Sequence, residues 1–138
     1  MPVRHKNKTF ATFLAAFFGG LGLHRFYLYG RRDFAGWIHF ATAPMSALWA
    51  LAHPQQPMLL LAAPLVLSML VAVIEALVIG LEPDAKWDEK HNAGSGRQSD
   101  SGWPLGLVLV LTFGAGAMGA IAVIARTFDL LFTGGSYG

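Results

Sequence analysis

Long apolar stretches separated by short polar ones dominate the pattern of this chain. The apolar stretches lie at 34–52, 57–81 and 103–125 and are 19, 25 and 23 residues long. Two ionisable side chains fall within them, His39 in the first and Glu75 in the second. A helix needs about 20 apolar residues to cross roughly 30 Å of hydrocarbon, and one that is apolar on every face is surrounded by lipid or by other helices. The pattern therefore predicts membrane helices over about 34–52, 58–81 and 103–133.

The first apolar segment, over about 9–23, is shorter. It would be about 22 Å long as a helix and ends in Gly19-Gly20-Leu21-Gly22. A cleaved signal peptide is disfavoured because no A-x-A-like site follows. Two interpretations stay open, a short span and a re-entrant helix that enters and leaves on one side of the membrane.

The polar stretches divide the chain into regions. Residues 1–82 form a membrane domain with helices over about 9–23, 34–52 and 58–81, and Asp33 is a suitable N-cap for the second of these. Residues 83–102 are rich in Gly, Ser and charged side chains, which predicts a flexible linker. The segment 103–133 is an additional transmembrane helix, and 134–138 is a tail.

Composition agrees with a membrane protein. Hydrophobic residues make up 54% of the chain and charged residues 13%, about half the charged fraction of a typical soluble domain. The predicted fold class is all-α, a polytopic integral membrane bundle of three to four hydrophobic helices. Cysteine is absent and the five histidines lack metal-ligand spacing, so neither a metal site nor a cofactor is predicted.

The distribution of basic residues predicts an orientation. If every segment spans, six of the nine basic residues before the last helix lie on the side of the loop 24–33 and the linker 82–102; if 9–23 is re-entrant, all nine lie there. Because cytoplasmic loops carry an excess of Lys and Arg, both regions are predicted to be cytoplasmic in a multi-pass protein of the cell membrane. The net charge of +2 is small, and the basic residues cluster at 4–8 and 25–32, which suits anionic lipid headgroups better than nucleic acid.

The hinge after the first apolar segment carries a recognisable motif. Lys6-Asn7-Lys8-Thr9, then Phe18-Gly19-Gly20-Leu21-Gly22-Leu23-His24-Arg25-Phe26-Tyr27-Leu28 and Gly36, resembles the TM-two domain family with its G-x-H-R-F-Y-L-G signature. Tyr29 precedes Gly30, so the signature glycine is displaced by one position. The resemblance implies a small membrane domain whose second apolar stretch holds a single acid, here Glu75 where the family has Asp. The region beyond residue 82 lies outside this resemblance.

Two groups of residues are candidate sites. Arg25 and Glu75 are predicted to form an ion pair, because an acid in an apolar helix needs a partner or water; a proton or ligand site at Glu75 with His24 nearby is the functional alternative. The motif residues are a candidate interaction surface: His24, Arg25, Phe26, Tyr27 and Gly30.

Small residues recur in the last apolar stretch. Ala115 and Gly119, like Gly116 and Ala120, are four positions apart, a spacing that allows helices to pack closely in lipid. Packing within the chain is the simpler interpretation, and a homo-oligomer is also compatible with this pattern.

These features favour a non-enzymatic integral membrane protein with no catalytic residues. Its expected partners are the lipid bilayer and either other membrane proteins or anionic lipid headgroups, bound through the HRFY loop. The alternative is a small oligomeric channel or transporter component that uses Glu75. An enzyme ranks lowest, because the acids of the linker lie in sequence typical of solvated segments.

Overall fold

The computed structural model describes residues 3–137, which contain seven α-helices and one 3₁₀ turn joined by irregular segments. The helices are α1 (Lys8–Phe18), α2 (Leu23–Tyr29), α3 (Phe34–Ala52), α4 (Met58–Leu61), α5 (Ala63–Leu81), α6 (Asp84–His91) and α7 (Trp103–Thr133). The 3₁₀ turn, Gly19–Leu21, joins α1 to α2. The all-α prediction is confirmed. Residues 1, 2 and 138, at the ends of the predicted domain and tail, lie outside the described part.

Two of these helices, α5 and α7, are long and apolar enough to cross a membrane, each with a mean hydropathy of 2.4. Large apolar side chains on α7 point outward, among them Met118 and Phe132, which are 73% and 77% exposed. A surface this apolar suits lipid rather than water, so the chain is a helical membrane protein. The 19-residue α3 coincides with the predicted segment 34–52, and its role as a third span stays a prediction.

The first two helices form a hairpin that returns to the end where it began. α1 has 11 residues, about 16 Å, too short to cross roughly 30 Å of hydrocarbon. The backbone N–H of Asn7 donates to the Tyr27 hydroxyl at 2.8 Å, and the Lys6 ammonium donates to the Leu28 carbonyl. Of the two interpretations left open by the sequence, this geometry favours the re-entrant one, which stays a prediction.

The hairpin differs from the predicted helix over 9–23 and loop over 24–33. The first helix ends at Phe18, and the motif segment is itself helical as α2. Gly22 causes the break, because its φ of 74° lies in the left-handed region that side chains disfavour. A short turn, residues 30–33, then leads into α3; we call it the basic turn.

The remaining membrane helices pack around α5. α5 contacts α1, the 3₁₀ turn, α3 and α7, and its small buried residues Ala72, Ala76 and Gly80 allow this close approach. The predicted helix over 58–81 is split at Ala62 into α4 and α5. Pro64 lies in the first turn of α5, where the missing N–H costs nothing.

The segment predicted as a flexible linker, 83–102, is only partly so, because it contains α6. Trp87 of α6 is fully buried and donates its indole N–H to the Lys6 carbonyl at 3.1 Å, while Asn92 Oδ1 accepts the Lys6 N–H at 2.6 Å. These contacts join the segment to the N-terminus, and we call residues 3–8 with 82–102 the polar cap. The cap lies beside the start of α7, whose bounds match the predicted 103–133.

Candidate functional site

A group of polar side chains lies between α2, α3 and α5, inside the apolar helices. Glu75 is at its centre, six residues before the end of α5, or about 9 Å along the helix. The other members come from α2, the basic turn, α3 and α5. We call the group the Glu75 cluster, and its members are His24, Arg25, Asp33, His39, Ser68 and Glu75.

The carboxylate of Glu75 meets three basic side chains. Its Oε1 accepts a hydrogen bond from Arg25 Nη1 at 2.6 Å, so the structure brings together the pair proposed from the sequence. Its Oε2 lies 2.9 Å from His24 Nε2 and 3.1 Å from His39 Nε2. This convergence neutralises an acid that would otherwise be costly inside the membrane.

Arg25 also holds a second carboxylate. Its Nε donates to Asp33 Oδ2 at 2.8 Å, and the same oxygen accepts the Gly36 N–H at 2.7 Å as the N-cap of α3. Asp33 is therefore the predicted helix cap and a member of the cluster as well. The second role was missed, because the eight-residue separation from Arg25 becomes a contact only once α2 reverses the chain.

His39 extends the cluster towards the hairpin turn. Its Nδ1 lies 2.7 Å from Ser68 Oγ, and the Ser68 hydroxyl donates to the Gly20 carbonyl at 2.8 Å. Sequence reasoning left His39 without a partner. One signal pointed to it: His39 and Glu75 are the lone ionisable residues of two adjacent apolar stretches, and such residues tend to pair.

The motif side chains face inward. His24 is 1% exposed, Phe26 packs its ring against Trp37 with centroids 5.3 Å apart, and Tyr27 contacts Phe10 edge to face. The HRFY segment therefore connects the hairpin to its neighbours.

The exposed part of this region is the basic turn. Arg31 and Arg32 are exposed, as is the neighbouring Tyr29, and the Trp37 indole N–H holds the turn by donating to the Arg31 carbonyl at 2.7 Å. Gly30 opens the turn with φ 83° and ψ 179°, a conformation essentially restricted to glycine.

A cavity of about 190 Å³ connects the Glu75 cluster with the polar cap. Two members of the cluster line it, Arg25 and Glu75. Three residues of the polar cap also line it: Glu82, Lys90 and His91. The cluster is thus open to the end of the molecule that carries the cap.

The small residues of α7 have mixed surroundings. Gly116 faces Val73 of α5, where an added Cβ would lie 2.5 Å from a Val73 methyl carbon, whereas nothing lies within 4 Å of a Cβ at Gly119. Ala115, Gly116 and Gly119 line an apolar groove of about 400 Å³ between α1, α5 and α7. Ala120 is half-buried and does not line this groove.

Electrostatics in the polar cap favour ionised acids and a neutral histidine. Partial burial alone would raise the pKa of Asp84, but hydrogen bonds from Lys8 and Ser101 outweigh it and lower the pKa to about 2. Burial lowers the pKa of His91, and the nearby Lys90 and Lys6 lower it further.

Comparison with known families identifies the hairpin and α3. Residues 4–53 match the family model described as the TM2 domain, the family that the motif resembles. The matched residues contain α1, α2 and α3, and the match supports the resemblance carried by the motif. Glu75 lies beyond the matched residues, and the predicted domain boundary at 82 stays a prediction. No curated protein and no solved structure matches the chain.

Proposed function

We propose that this protein is a non-enzymatic, multi-pass protein of the cell membrane that binds anionic lipid headgroups through its basic end. The observation that carries the proposal is a set of six exposed cationic side chains gathered at that end. None of them forms an ion pair with the rest of residues 3–137. They are Arg4, Arg31, Arg32, Lys86, Lys90 and Arg97.

The distribution of charge supports a cytoplasmic location for this end. Nine of the ten Lys and Arg residues belong to the polar cap, α2 or the basic turn. The tenth, Arg126, lies 23 residues along α7, about 35 Å from its start. By the positive-inside rule the basic turn and the segment 82–102 face the cytoplasm, with α3, α5 and α7 as the three spans.

The basic turn is the best placed part of this surface. Arg31 and Arg32 are flanked by exposed aromatic side chains, Trp37 at 51% and Tyr29 at 49%. Aromatic rings of this kind sit at headgroup depth, which would place the two guanidinium groups beside lipid phosphates. A basic residue near an anionic surface contributes about 1 kcal/mol.

Lipid selectivity measured on the full chain tests this proposal. The protein is reconstituted in phosphatidylcholine bilayers with spin-labelled phosphatidylserine or phosphatidylcholine, and the preference for the anionic lipid is measured. The double variant Arg31→Gln, Arg32→Gln should lose roughly tenfold or more of any preference, from about 1 kcal/mol per charge. Arg31→Lys with Arg32→Lys keeps the charge and should keep the preference.

An ion pair near the C-terminal end of α7 provides a control for this experiment. Arg126 pairs with Asp129, so Arg126→Gln with Asp129→Asn removes a pair without changing net charge and should leave lipid selectivity intact. An unchanged preference in the Arg31, Arg32 double variant would show that the basic turn does not bind lipid. If that variant instead lost cross-links to a neighbouring membrane protein, the partner would be protein.

The alternative of ion conduction has weaker support. Two hydroxyl groups follow His39 along α3. The Thr42 hydroxyl donates to the His39 carbonyl and Ser46 Oγ accepts the Leu65 N–H, so both are hydrogen-bonded to the backbone. A continuous polar path from Glu75 to the end of the molecule opposite the polar cap would need polar side chains other than these two. Ion flux through reconstituted protein that disappears in Glu75→Gln would favour this alternative.

A further inference from the structure

The hydroxyl of Ser68 fixes the protonation of one nitrogen of His39. A serine has one proton to donate, and the Gly20 carbonyl 2.8 Å away can only accept it. Ser68 Oγ must therefore act as an acceptor towards His39 Nδ1, which lies 2.7 Å away. It follows that Nδ1 of His39 carries a hydrogen.

The other nitrogen of His39 then faces an acceptor. A neutral imidazole with its hydrogen on Nδ1 has a lone pair on Nε2, and this nitrogen lies 3.1 Å from Glu75 Oε2. Two acceptors at this distance repel each other unless a proton lies between them. We propose that His39 Nε2 and Glu75 Oε2 hold one additional proton at neutral pH, which makes the Glu75 cluster a proton-binding site.

The second histidine does not supply this proton. His24 Nε2 lies 2.9 Å from Glu75 Oε2 and donates to it, whereas His24 Nδ1 is buried without a partner among the described residues. Charging His24 would bury an N–H with no acceptor, at a cost of the order of 1–3 kcal/mol. His24 is therefore neutral.

Charge balance supports the same assignment. The charged groups of the cluster are Arg25 from α2 and Glu75 from α5, which face His39, and Asp33 from the basic turn, which is paired with Arg25. One cation and two carboxylates leave a net charge of −1, which the additional proton cancels. A neutral cluster is favoured between apolar helices, where an uncompensated charge is expensive.

The proton connects the hairpin to the spanning helices. His39 belongs to α3, Glu75 and Ser68 to α5, and Ser68 in turn holds the Gly20 carbonyl of the 3₁₀ turn. Loss of the proton sets Nε2 against the carboxylate and weakens this junction. At pH values above the one at which the proton dissociates, the equilibrium population of the intact junction should fall by up to tenfold per pH unit, as expected for the loss of one proton.

Access to the site is from the polar cap. The cavity of about 190 Å³ reaches Glu75 from the polar cap and is lined there by Lys90 and His91. The proton therefore exchanges with the compartment that faces the cap. This inference stands independently of lipid binding at the basic turn.

Nitrogen-15 spectra of the histidine-labelled full chain in lipid nanodiscs test the proposal. At pH 7 we expect hydrogens on both ring nitrogens of His39, or a hydrogen on Nδ1 alone together with an infrared band of protonated Glu75. In Glu75→Gln the amide can donate to Nε2, so His39 should be neutral with its hydrogen on Nδ1. A neutral His39 protonated on Nε2 alone in the wild type would overturn the proposal.

Alanine substitutions at two separate serines, Ser68 and Ser46, provide a test variant and its control. Ser68→Ala removes the acceptor at Nδ1, so His39 can become neutral with its hydrogen on Nε2 and release the additional proton. Ser46→Ala removes a hydroxyl whose hydrogen bond within residues 3–137 is to the Leu65 N–H, and it should leave the His39 spectrum unchanged. Thermal unfolding adds a second readout: its midpoint should fall between pH 7 and 10 in the wild type but not in Glu75→Gln. A midpoint with the same pH dependence in both proteins would contradict the proposal.

Discussion

The Glu75 cluster and the polar cap both attach the N-terminal hairpin to the rest of the molecule, but in different surroundings. In the cluster, Arg25 and Glu75 are 24% and 23% exposed and bind each other between apolar helices. In the cap, Asp84 and Asp88 accept hydrogen bonds from the hydroxyls and backbone of Ser101 and Ser99. The cluster is flanked by apolar helices and opens to solvent through the cavity beside Glu75, whereas the cap lies at the polar end of the chain and is held largely by serine hydroxyls and backbone groups.

This difference determines how each region tolerates damage. A charge left unpaired between apolar helices is strongly destabilising. The cap acids are instead held by separate hydrogen bonds from Ser99 and Ser101, of which each one to Asp84 contributes about 1.5–3 kcal/mol. The cluster therefore behaves as a unit in which every member is needed. The cap distributes its stability over several weaker contacts.

The largest expected effect is the loss of the central acid. Glu75→Ala leaves Arg25 with Asp33 as its remaining partner and removes the carboxylate that His24 and His39 share. It should lower the free energy of unfolding by roughly 3–5 kcal/mol, the usual cost of breaking a buried pair. Thermal or denaturant unfolding of the reconstituted full chain measures it. Glu82→Ala is the matched control, since the Glu82 side chain has no hydrogen-bond partner among the described residues and should change stability by less than about 0.5 kcal/mol. Equal effects of the two substitutions would show that the cluster is no more sensitive than the cap.

Part of the cluster was predictable from the sequence. A lone acid in an apolar stretch and an arginine in a nearby hinge were sufficient to pair Arg25 with Glu75. The contacts of His39 and Ser68 were not predictable, because they depend on the Gly20 carbonyl, which becomes available only in the 3₁₀ turn. The composition of the chain does not show which backbone carbonyls lie in irregular structure and can accept a hydrogen bond from a side chain.

The polar cap was predicted less well than the cluster. The glycine- and serine-rich composition of 93–102 predicts flexibility, and the sequence around the acids of this region predicts that they are solvated. The order of the segment comes instead from contacts distant in sequence, such as Asn92 with Lys6 and Asp84 with Lys8. Local composition carries no information about partners some 80 residues away.

The same substitution, glycine to alanine, can be compared at a buried position and at an exposed one. Gly22, at the inner turn of the hairpin, has φ 74°, and an added Cβ would lie 2.5 Å from the Gly36 carbonyl oxygen. Gly30, at the surface, has φ 83° with nothing within 4 Å of a Cβ. Gly22→Ala should cost roughly 2–5 kcal/mol from backbone strain and overpacking. Gly30→Ala should cost roughly 1–3 kcal/mol from strain alone.

Unfolding of the two alanine variants measures this difference. Gly106→Ala is the control, because Gly106 lies inside α7 with open space at its Cβ position, and alanine there should stabilise by up to about 1 kcal/mol. A Gly30 variant less stable than the Gly22 variant would mean that the surface turn, rather than the buried one, constrains the hairpin.

The smallest expected effects are those of acid on the polar cap, and they have the opposite sign to the pH effect proposed for the Glu75 cluster. The pKa of His91 is lowered from 6.5 by burial, so the unfolded chain binds a proton that the folded chain does not. The pKa of Asp84 is lowered from 3.8 to about 2, so its contribution is complete above pH 4 and disappears as the pH falls towards 2. Acid therefore weakens the cap in two steps, the first below about pH 6.5 and the second below about pH 4.

Hydrogen exchange of the backbone amides in the cap measures this effect as a function of pH, after correction for the intrinsic exchange rate. His91→Phe keeps a ring against Trp87, whose centroid lies 4.3 Å from that of His91, and should remove the first step while leaving the second. Asp84→Asn should remove most of the second step. Because the His39–Glu75 proton stabilises the cluster at lower pH, amides of the 3₁₀ turn should lose protection only as the pH rises. If the cap and the 3₁₀ turn lost protection over the same pH range, they would be one cooperative unit, and the distinction between the two attachments would be wrong.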